Sequence, residues 1–339
     1  MENCRRVSGP SFCDDVRVDR GLKLGFLACD PSLRYGNYAA NVFNQSSIRE
    51  SGALWVYDLN KPESSAGKLV LQGFDGPFHP TGLSIAPTTE NSTSARTVLL
   101  VVNRVPFETP RVEVLYYYPA RQNLVYKKTI SSQHFHAAHK VLAFSSPFVH
   151  RTDDTPSFIV ANDHGFNISH WMRNYEEKFN LPAATLAFYN ARANETREMA
   201  WRLQMPSALV ESQEPDSVWM AQAKGGVVGL YKTHMSSGGR QESRVSSVDT
   251  DEPMTVTWPG WRVNEAHPQP LKDVVIDPQE TPSRYRMQYF HEPVISHDGS
   301  EFGSPSAISF VPAESLEHRA ERVLVTGQYE RGFLECILE

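Results

Sequence analysis

The chain has 339 residues and a net charge of −6, from 33 basic and 39 acidic side chains. This acidic balance, with no block of lysine or arginine, excludes a surface built to neutralise phosphates, so we expect no nucleic-acid partner. Hydrophobic residues make up 40% of the chain, which supports a packed core and excludes wholesale disorder. No apolar run approaches the roughly 18–20 residues that cross a bilayer, so we predict no membrane span.

The predicted elements are mostly short strands, rich in β-branched and aromatic residues and bounded by Gly, Pro, Asn or Asp. In chain order the strands are predicted at residues 53–59, 68–71, 98–102, 112–118, 157–160, 185–189, 218–221, 227–231, 254–257 and 322–326. One helix is predicted at residues 168–179, where aromatic residues recur at helical spacing. Residues 236–252 are rich in Ser, Gly and charge and are predicted to form an exposed loop.

Five segments share a pattern of polar and small residues that leads into an apolar strand: residues 79–84, 136–141, 205–210, 270–275 and 304–309. Their spacing of roughly 35–70 residues spans that of propeller blades with insertions. In a propeller the first strand of each blade lines a central channel, where one polar side chain per blade can converge. Five such segments and a closing blade built from both termini make six blades.

We therefore predict an all-β fold, a six-bladed β-propeller that is closed by N- and C-terminal strands and carries a short helical insertion. It forms a single domain over residues 1–339. A jelly roll or a pair of sandwiches is the structural alternative, because the repeat spacing is irregular.

The four cysteines lie near the ends of the chain, with Cys4, Cys13 and Cys29 at the start and Cys336 close to the end. A fold that joins its two ends can place a disulfide between Cys4 or Cys13 and Cys336. Four free thiols in a cytosolic protein are the alternative.

The N-terminus lacks the apolar segment of a signal peptide. Sequons favour a glycoprotein of the secretory pathway, and the chain has four of them: Asn44, Asn91, Asn167 and Asn194. We therefore expect a secretory or secreted location if a signal peptide has been removed, and a cytoplasmic one otherwise.

Five stretches of the chain resemble the serum paraoxonase/arylesterase family of six-bladed propellers. They are GALWVYDLN at residues 52–60, FHPTGLS at 78–84, LVVN at 100–103, NDHGF at 162–166 and GQYERGFLEC at 327–336. The resemblance implies a closed propeller. Because paraoxonases tie their ends together with a disulfide, it also implies that Cys4 pairs with Cys336.

Paraoxonase-like hydrolases hold a catalytic calcium with Glu, Asn and Asp side chains at the starts of the inner strands. The resemblance places Cys13, Asp14, Ala138, Ser207, Lys272 and Asp273 at those positions, and Thr81 at that of the family's channel histidine. Calcium takes about 6–8 oxygen ligands. Only Asp14 and Asp273 offer carboxylates here, and Lys272 places a positive charge where the ion would lie. We therefore predict no metal site and no cofactor.

Other catalytic signatures are missing from the sequence: there is no G-x-S-x-G, H-E-x-x-H, P-loop or G-x-G-x-x-G motif. Asp163 and His164 form either an acid/base pair or a turn in which Asp163 caps backbone N–H groups. A further three histidines form either a zinc site or the rim of a channel, and these are His134, His136 and His139.

A channel without a metal, lined by hydroxyls, charged groups and aromatic rings, suits small apolar or aromatic molecules. The predicted catalytic residues are Lys272 and His139 as hydrogen-bond donors and acids, with Asp273 as the partner that fixes their charge state. The predicted substrate-binding residues are Thr81, Ser207, Asp14, Trp258, Trp261 and His164. Thr81 and Ser207 would orient the substrate, and the two tryptophans either wall the pocket or pack in the core.

The chain is also similar to the fungal hetero-Diels–Alderases of tropolone-sesquiterpenoid pathways, which are paraoxonase-like proteins that work without calcium. This resemblance implies a metal-independent cyclase. A quinone methide, formed from a hydroxymethyl tropolone by loss of water, would add across an alkene of a humulene-type sesquiterpene in meroterpenoid biosynthesis. Two alternatives stay open, namely a calcium-dependent lactonase or arylesterase-like hydrolase and a non-catalytic propeller that binds small molecules.

Overall fold

The computed structural model describes residues 4–37, 42–43, 50–86, 96–144, 154–211, 217–222, 228–232, 244–248, 305–311, 322–327 and 331–337. The first strands in chain order are β1 Cys4–Ser11, β2 Cys13–Asp19, β3 Leu24–Cys29, β4 Gly36–Asn37, β5 Val42–Phe43, β6 Ala53–Asp58, β7 Gly67–Lys68, β8 Val70–Gln72, β9 Pro80–Ala86, β10 Thr97–Asn103, β11 Arg111–Tyr118 and β12 Asn123–Ile130. They are followed by β13 Ala138–Ala143, β14 Phe158–Asn162, β15 Ala184–Asn190, β16 Glu195–Leu203, β17 Pro206–Glu211, β18 Ser217–Gln222, β19 Val228–Lys232, β20 Arg244–Val248, β21 Pro305–Val311, β22 Arg322–Gly327 and β23 Arg331–Ile337. Helix α1 spans Met172–Phe179, and 3-10 helices span Pro31–Tyr35 and Gln133–Phe135.

The strands form five sheets of four or five strands, besides the short pair β4–β5. Sheet I has the order β2-β3-β6-β7, sheet II β9-β10-β11-β12-β8, and sheet III β13-β14-β15-β16. Sheet IV has the order β17-β18-β19-β20, and sheet V β21-β22-β23-β1. Within the described residues the fold is therefore mostly β with one short α-helix, as the sequence predicted.

The first strands of consecutive sheets contact one another in the order β21, β2, β9, β13 and β17. Four of the five predicted inner-strand segments coincide with these strands, namely those at β9, β13, β17 and β21. The predicted assignment of segments to blades needs one correction, because the sheet built from both termini contains the segment at β21, and sheet I, which begins at β2, had no predicted segment. The fifth segment, residues 270–275, and the predicted strand at 254–257 lie outside the described residues.

The core lies between the sheets, because apolar strands are buried on both faces. In β14, Ile159 packs against residues of sheet IV while its neighbour Val160 packs against residues of sheet II. Successive side chains of a strand point to opposite faces, so one continuous apolar run fills two interfaces. No helix among the described residues is long and apolar enough to span a membrane.

Both ends of the chain meet in sheet V, where β1 pairs antiparallel with β23 and Cys4 lies directly opposite Cys336. These two cysteines form a disulfide, which confirms the predicted pairing. A second disulfide joins Cys13 and Cys29, which lie opposite each other on β2 and β3. Each bridge thus links two cysteines that lie directly opposite each other on paired antiparallel strands.

Three predicted elements differ from the structure. The exposed loop predicted at residues 236–252 contains strand β20, which pairs with β19 because a short polar strand can complete a sheet edge without an apolar pattern. The helix predicted from residue 168 begins at Met172. The strand predicted at residues 68–71 is divided between β7 and β8, which pair with different sheets.

Candidate functional site

Each of the five sheets has a register irregularity near the start of its first strand. One extra residue on the first strand has no partner on the second strand, which is the signature of a β-bulge. Bulges re-aim side chains and occur next to active sites. The extra residues are Asp14 in sheet I, Thr81 or Gly82 in sheet II, His139 in sheet III, Ser207 in sheet IV and Ser306 in sheet V. Four predicted site residues therefore occupy equivalent positions in four sheets.

Asp14 and His139 meet across the sheets, although they are 125 residues apart in the chain. The His139 Nε2 donates to Asp14 Oδ2 at 2.7 Å, and its Nδ1 lies 3.9 Å from Asp163 Oδ2. The histidine side chain is 14% exposed, whereas both carboxylates are 2% exposed. His139 is therefore the least buried side chain of this acid–base group, although its Nδ1 itself has almost no exposed surface.

Asp163 lies one residue beyond β14 and faces Arg104, which lies one residue beyond β10. The guanidinium donates to both carboxylate oxygens, from Nη1 at 2.7 Å and from Nη2 at 3.1 Å. Asp163 therefore binds Arg104, and the alternative in which its carboxylate only caps a turn is not what the structure shows. This bidentate pair joins the ends of two second strands and fixes the carboxylate beside His139.

His164 links this pair to helix α1. Its Nδ1 lies 2.9 Å from Asp163 Oδ1, an ion-pair distance but out of line for a hydrogen bond, and its Nε2 contacts Glu177 Oε1 on α1. Because His164 is 2% exposed, the structure places it as a buried bridge between the helix and Asp163. Its predicted contact with a substrate stays a prediction.

Lys140, the residue after the bulge in β13, carries its ammonium into the same cluster. Its Nζ donates to the Asp14 carbonyl oxygen at 2.7 Å and lies 3.5 Å from Asp14 Oδ2 and 3.7 Å from Asp15 Oδ2. Asp15 Oδ2 also accepts from the Leu83 amide of β9 at 3.0 Å. Asp15 and Lys140 thereby connect the first strands of sheets I, II and III.

The charges of the cluster keep the carboxylates of Asp14 and Asp163 ionised, because they lower the pKa of both. Burial alone would raise the pKa of Asp14, but Lys140, His139 and Arg104 lower it to about 2. The same balance lowers the pKa of Asp163 well below its usual value, because Arg104, His164 and His139 outweigh burial. Burial lowers the pKa of His164, and the carboxylates of Asp163 and Glu177 reverse this and raise it.

Thr81 and Ser207 make backbone contacts. The Thr81 hydroxyl is fully buried and donates to the His139 carbonyl oxygen at 3.2 Å, while the half-buried Ser207 hydroxyl donates to the Ala221 carbonyl oxygen at 3.4 Å. Gly82 permits a close approach, because a Cβ there would lie 2.7 Å from Lys140 Cα. Thr81 and Gly82 thus hold β9 against the backbone of His139, and the orienting roles of the two hydroxyls stay predictions.

A separate buried cluster lies near the end of β3. The His79 Nδ1 lies 3.0 Å from Asp30 Oδ2, to which the Ser32 hydroxyl also donates at 2.7 Å. The Ser32 oxygen is 3.3 Å from the same Nδ1, so serine and aspartate compete for one ring nitrogen. In a nucleophilic triad the serine and the aspartate contact opposite ring nitrogens of the histidine. Ser32, His79 and Asp30 are therefore not arranged as a nucleophilic triad.

Four predicted site residues lie outside the described residues: Lys272, Asp273, Trp258 and Trp261. The sequence analysis missed the roles of Asp15, Lys140 and Arg104, and it left open that of Asp163. Arg104 and Asp163 share one signal, since each follows an asparagine that ends a second strand. Asn103 and Asn162 accept from backbone amides just before the first strands of their sheets, at 2.8 and 3.2 Å.

The fold and the cluster define a mostly β protein with a buried acid–base group where its first strands begin. A family model described as Arylesterase matches residues 41–292, more than half of the chain. The chain therefore belongs to the arylesterase family, which is a family of enzymes. No curated protein matches the chain.

Several solved structures are similar to the chain at low identity. A luciferin-regenerating enzyme is 7% identical with a TM-score of 0.42, over 99% of this chain and 80% of that one. A periplasmic gluconolactonase from Pseudomonas aeruginosa is 13% identical with a TM-score of 0.40, over 70% of this chain and 58% of that one. A protein from Lactobacillus plantarum is 12% identical with a TM-score of 0.38, over 71% of this chain and 56% of that one.

The described residues do not fit the calcium ion that the resemblance to paraoxonases implies. Calcium needs oxygen ligands around a space of its own. Here the Lys140 ammonium lies among the oxygens of Asp14 and Asp15, and His139 donates to Oδ2 of Asp14, the carboxylate oxygen that faces the ammonium. Among the described residues, no group of three or more His, Cys, Asp and Glu side chains is arranged to hold a metal ion.

Proposed function

We propose that this arylesterase-family chain is a metal-independent cyclase, a hetero-Diels–Alderase that joins a tropolone quinone methide to a humulene-type sesquiterpene in fungal meroterpenoid biosynthesis. The observation that carries the proposal is His139, held between two ionised carboxylates beside an ammonium group of the chain itself. Such a group supplies acid–base chemistry without a bound cation. The proposal includes a closed six-bladed propeller, whose sixth blade would come from residues outside those described.

The chemistry assigned to His139 is the loss of water that creates the reactive diene. The carbon–oxygen bond of the hydroxymethyl group breaks, and the leaving hydroxyl takes a proton from the His139 imidazolium. The tropolone hydroxyl loses its proton, which returns to His139, so that the net change is loss of one water. Asp14 fixes the ring through Nε2 and stays ionised, because its pKa is about 2.

The cycloaddition itself needs no proton. The oxygen and the exocyclic carbon of the quinone methide form two σ bonds to the alkene, and holding both reactants in one orientation accelerates the reaction by effective molarities of about 10⁵ M or more. The predicted aromatic and charged residues Trp258, Trp261, Lys272 and Asp273 would bind and orient these reactants. This part of the proposal rests on the sequence.

The test is to incubate the purified protein with a hydroxymethyl tropolone and humulene, and to quantify the adduct by chromatography and mass spectrometry. We expect the adduct to form equally with and without EDTA. His139→Gln removes the acid and is expected to lower the rate by about 10²–10⁴-fold. His134→Gln is the matched control, since His134 is a half-buried histidine of the same segment whose side chain contacts neither Asp14 nor Asp163.

A metal-independent hydrolase is the second candidate, favoured by the family and by the Asp14–His139 pair, which can activate a water for attack on an ester. Phenyl acetate and a simple lactone are the probes. Hydrolysis that survives EDTA and fails in His139→Gln, with no adduct, would replace the cyclase by this function. Hydrolysis that EDTA abolishes would instead establish the calcium-dependent alternative, and substrate binding with no product would establish the non-catalytic one.

A further inference from the structure

One cation of the buried cluster occupies a position that is built from oxygen atoms. The Lys140 Nζ is surrounded by the Asp14 carbonyl oxygen at 2.7 Å and by carboxylate oxygens of Asp14 and Asp15 at 3.5 and 3.7 Å. All three side chains are at most 3% exposed. Water therefore does not screen these charges, and each carboxylate depends on its partners in the protein.

The bulge in β2 explains why two consecutive aspartates face one ammonium. Neighbouring residues of a regular strand point to opposite faces, but the extra residue Asp14 breaks this alternation. Asp15 is held by the amides of Val16 and Leu83, at 2.9 and 3.0 Å, and cannot turn away. Two fixed carboxylates in a buried place repel each other unless a positive charge lies between them.

We propose that Lys140 is a built-in substitute for a divalent cation, and that the oxygens of Asp14 and Asp15 form a latent metal site which shortening of Lys140 uncovers. Two carboxylates match the charge of a divalent ion; in the wild type Lys140 lies between them, Arg17 Nε lies 3.7 Å from Asp15 Oδ1, and His139 contacts Asp14. Hard cations select carboxylate and carbonyl oxygens, and calcium completes its shell with water. The wild-type protein supplies this charge from its own chain and has no room for the ion.

The test compares Lys140→Ala with Lys140→Met, using calcium chloride as the probe and thermal unfolding as the readout. Both variants lose the ammonium and are expected to unfold at a lower temperature than the wild type. Only Lys140→Ala opens space for an ion and its waters. We expect about 10 mM calcium, above the ~10⁻³ M dissociation constants of weak calcium sites, to raise its Tm by about 2 °C.

Calcium is expected to leave the Tm of the wild type and of Lys140→Met unchanged, and Lys140→Ala/Asp15→Asn is expected to lose the response. If Lys140→Ala is insoluble without calcium, its soluble yield in calcium replaces Tm as the readout. The proposal is overturned if calcium neither stabilises Lys140→Ala nor restores its yield, or if it stabilises Lys140→Met equally. The experiment needs no substrate, so its result is independent of the proposed cyclase activity.

Discussion

Removal of the terminal disulfide is expected to destabilise the protein more than removal of the second one. The Cys4–Cys336 bridge closes a loop of 332 residues, and the Cys13–Cys29 bridge closes a loop of 16. In the chain-entropy model, a crosslink restricts the unfolded chain by an amount that grows with the logarithm of the loop length. This gives about 6 kcal/mol for the long loop and about 3 kcal/mol for the short one.

The packing lost on substitution favours the opposite order, a larger loss of stability for the Cys13–Cys29 bridge, and this makes the comparison stringent. Cys13 and Cys29 are both buried, so their truncation also leaves a cavity. Cys4 is only half-buried, and Cys4→Ala breaks the long crosslink while removing little packing. A larger loss for Cys4→Ala must therefore come from the unfolded chain rather than from the native core.

The assay is urea unfolding under non-reducing conditions, with mass spectrometry to count free thiols before each measurement. We expect Cys4→Ala to lower the unfolding free energy by about 4–6 kcal/mol and Cys13→Ala/Cys29→Ala by about 3–4 kcal/mol. Once Cys4 is replaced, adding Cys336→Ala should cost only its own packing. A loss below about 2 kcal/mol for Cys4→Ala, or the reverse order of the two bridges, would refute the reasoning.

Three further predictions concern the buried cluster. Asp163→Asn removes the anion that binds Arg104 inside the protein and should lower the unfolding free energy by about 3–5 kcal/mol in urea; a loss under about 1 kcal/mol would contradict a buried pair. Asp14 has a folded pKa of about 2 against an ordinary value of 3.8, so its contribution of about 2 kcal/mol is present above pH ~4 and is lost as the pH falls toward 2. Over this pH range the urea midpoint should depend less steeply on pH in Asp14→Asn than in the wild type. An equally steep dependence in the variant would contradict the lowered pKa of Asp14. Gly82→Ala pushes β9 against the backbone of β13 and should cost about 1–3 kcal/mol, whereas Gly21→Ala, with only ordinary contacts, should change Tm little.

The sequence predicted the first strands well, because their signal is local. Polar and small residues lead into a short apolar run at β9, β13, β17 and β21, and this pattern needs no knowledge of partners. Strand β20 was missed for the converse reason. Its polar sequence carries no periodic signal, and it is a strand because β19 offers an edge to pair with.

The cluster around His139 was predicted only in part. The segment at residues 136–141 indicated His139, and the resemblance to paraoxonases placed Asp14 at a calcium-ligand position. A bulge exists only relative to the neighbouring strand, so their shared position could not be derived. The sequence analysis assigned the positive charge in the cation position to Lys272. The structure shows Lys140 among buried carboxylates, and Lys272 lies outside the described residues.

By itself, the sequence determined a mostly β chain, the positions of four of the five described first strands and the joining of its two ends through Cys4 and Cys336. These properties follow from composition, local patterning and a family resemblance. Only the tertiary structure decided that Asp14, His139 and Asp163 form one buried acid–base group with Lys140 as its internal cation. The physical reason is that the order of the sheets and the register of each ladder bring together residues more than a hundred positions apart, and no local pattern encodes which of them will meet.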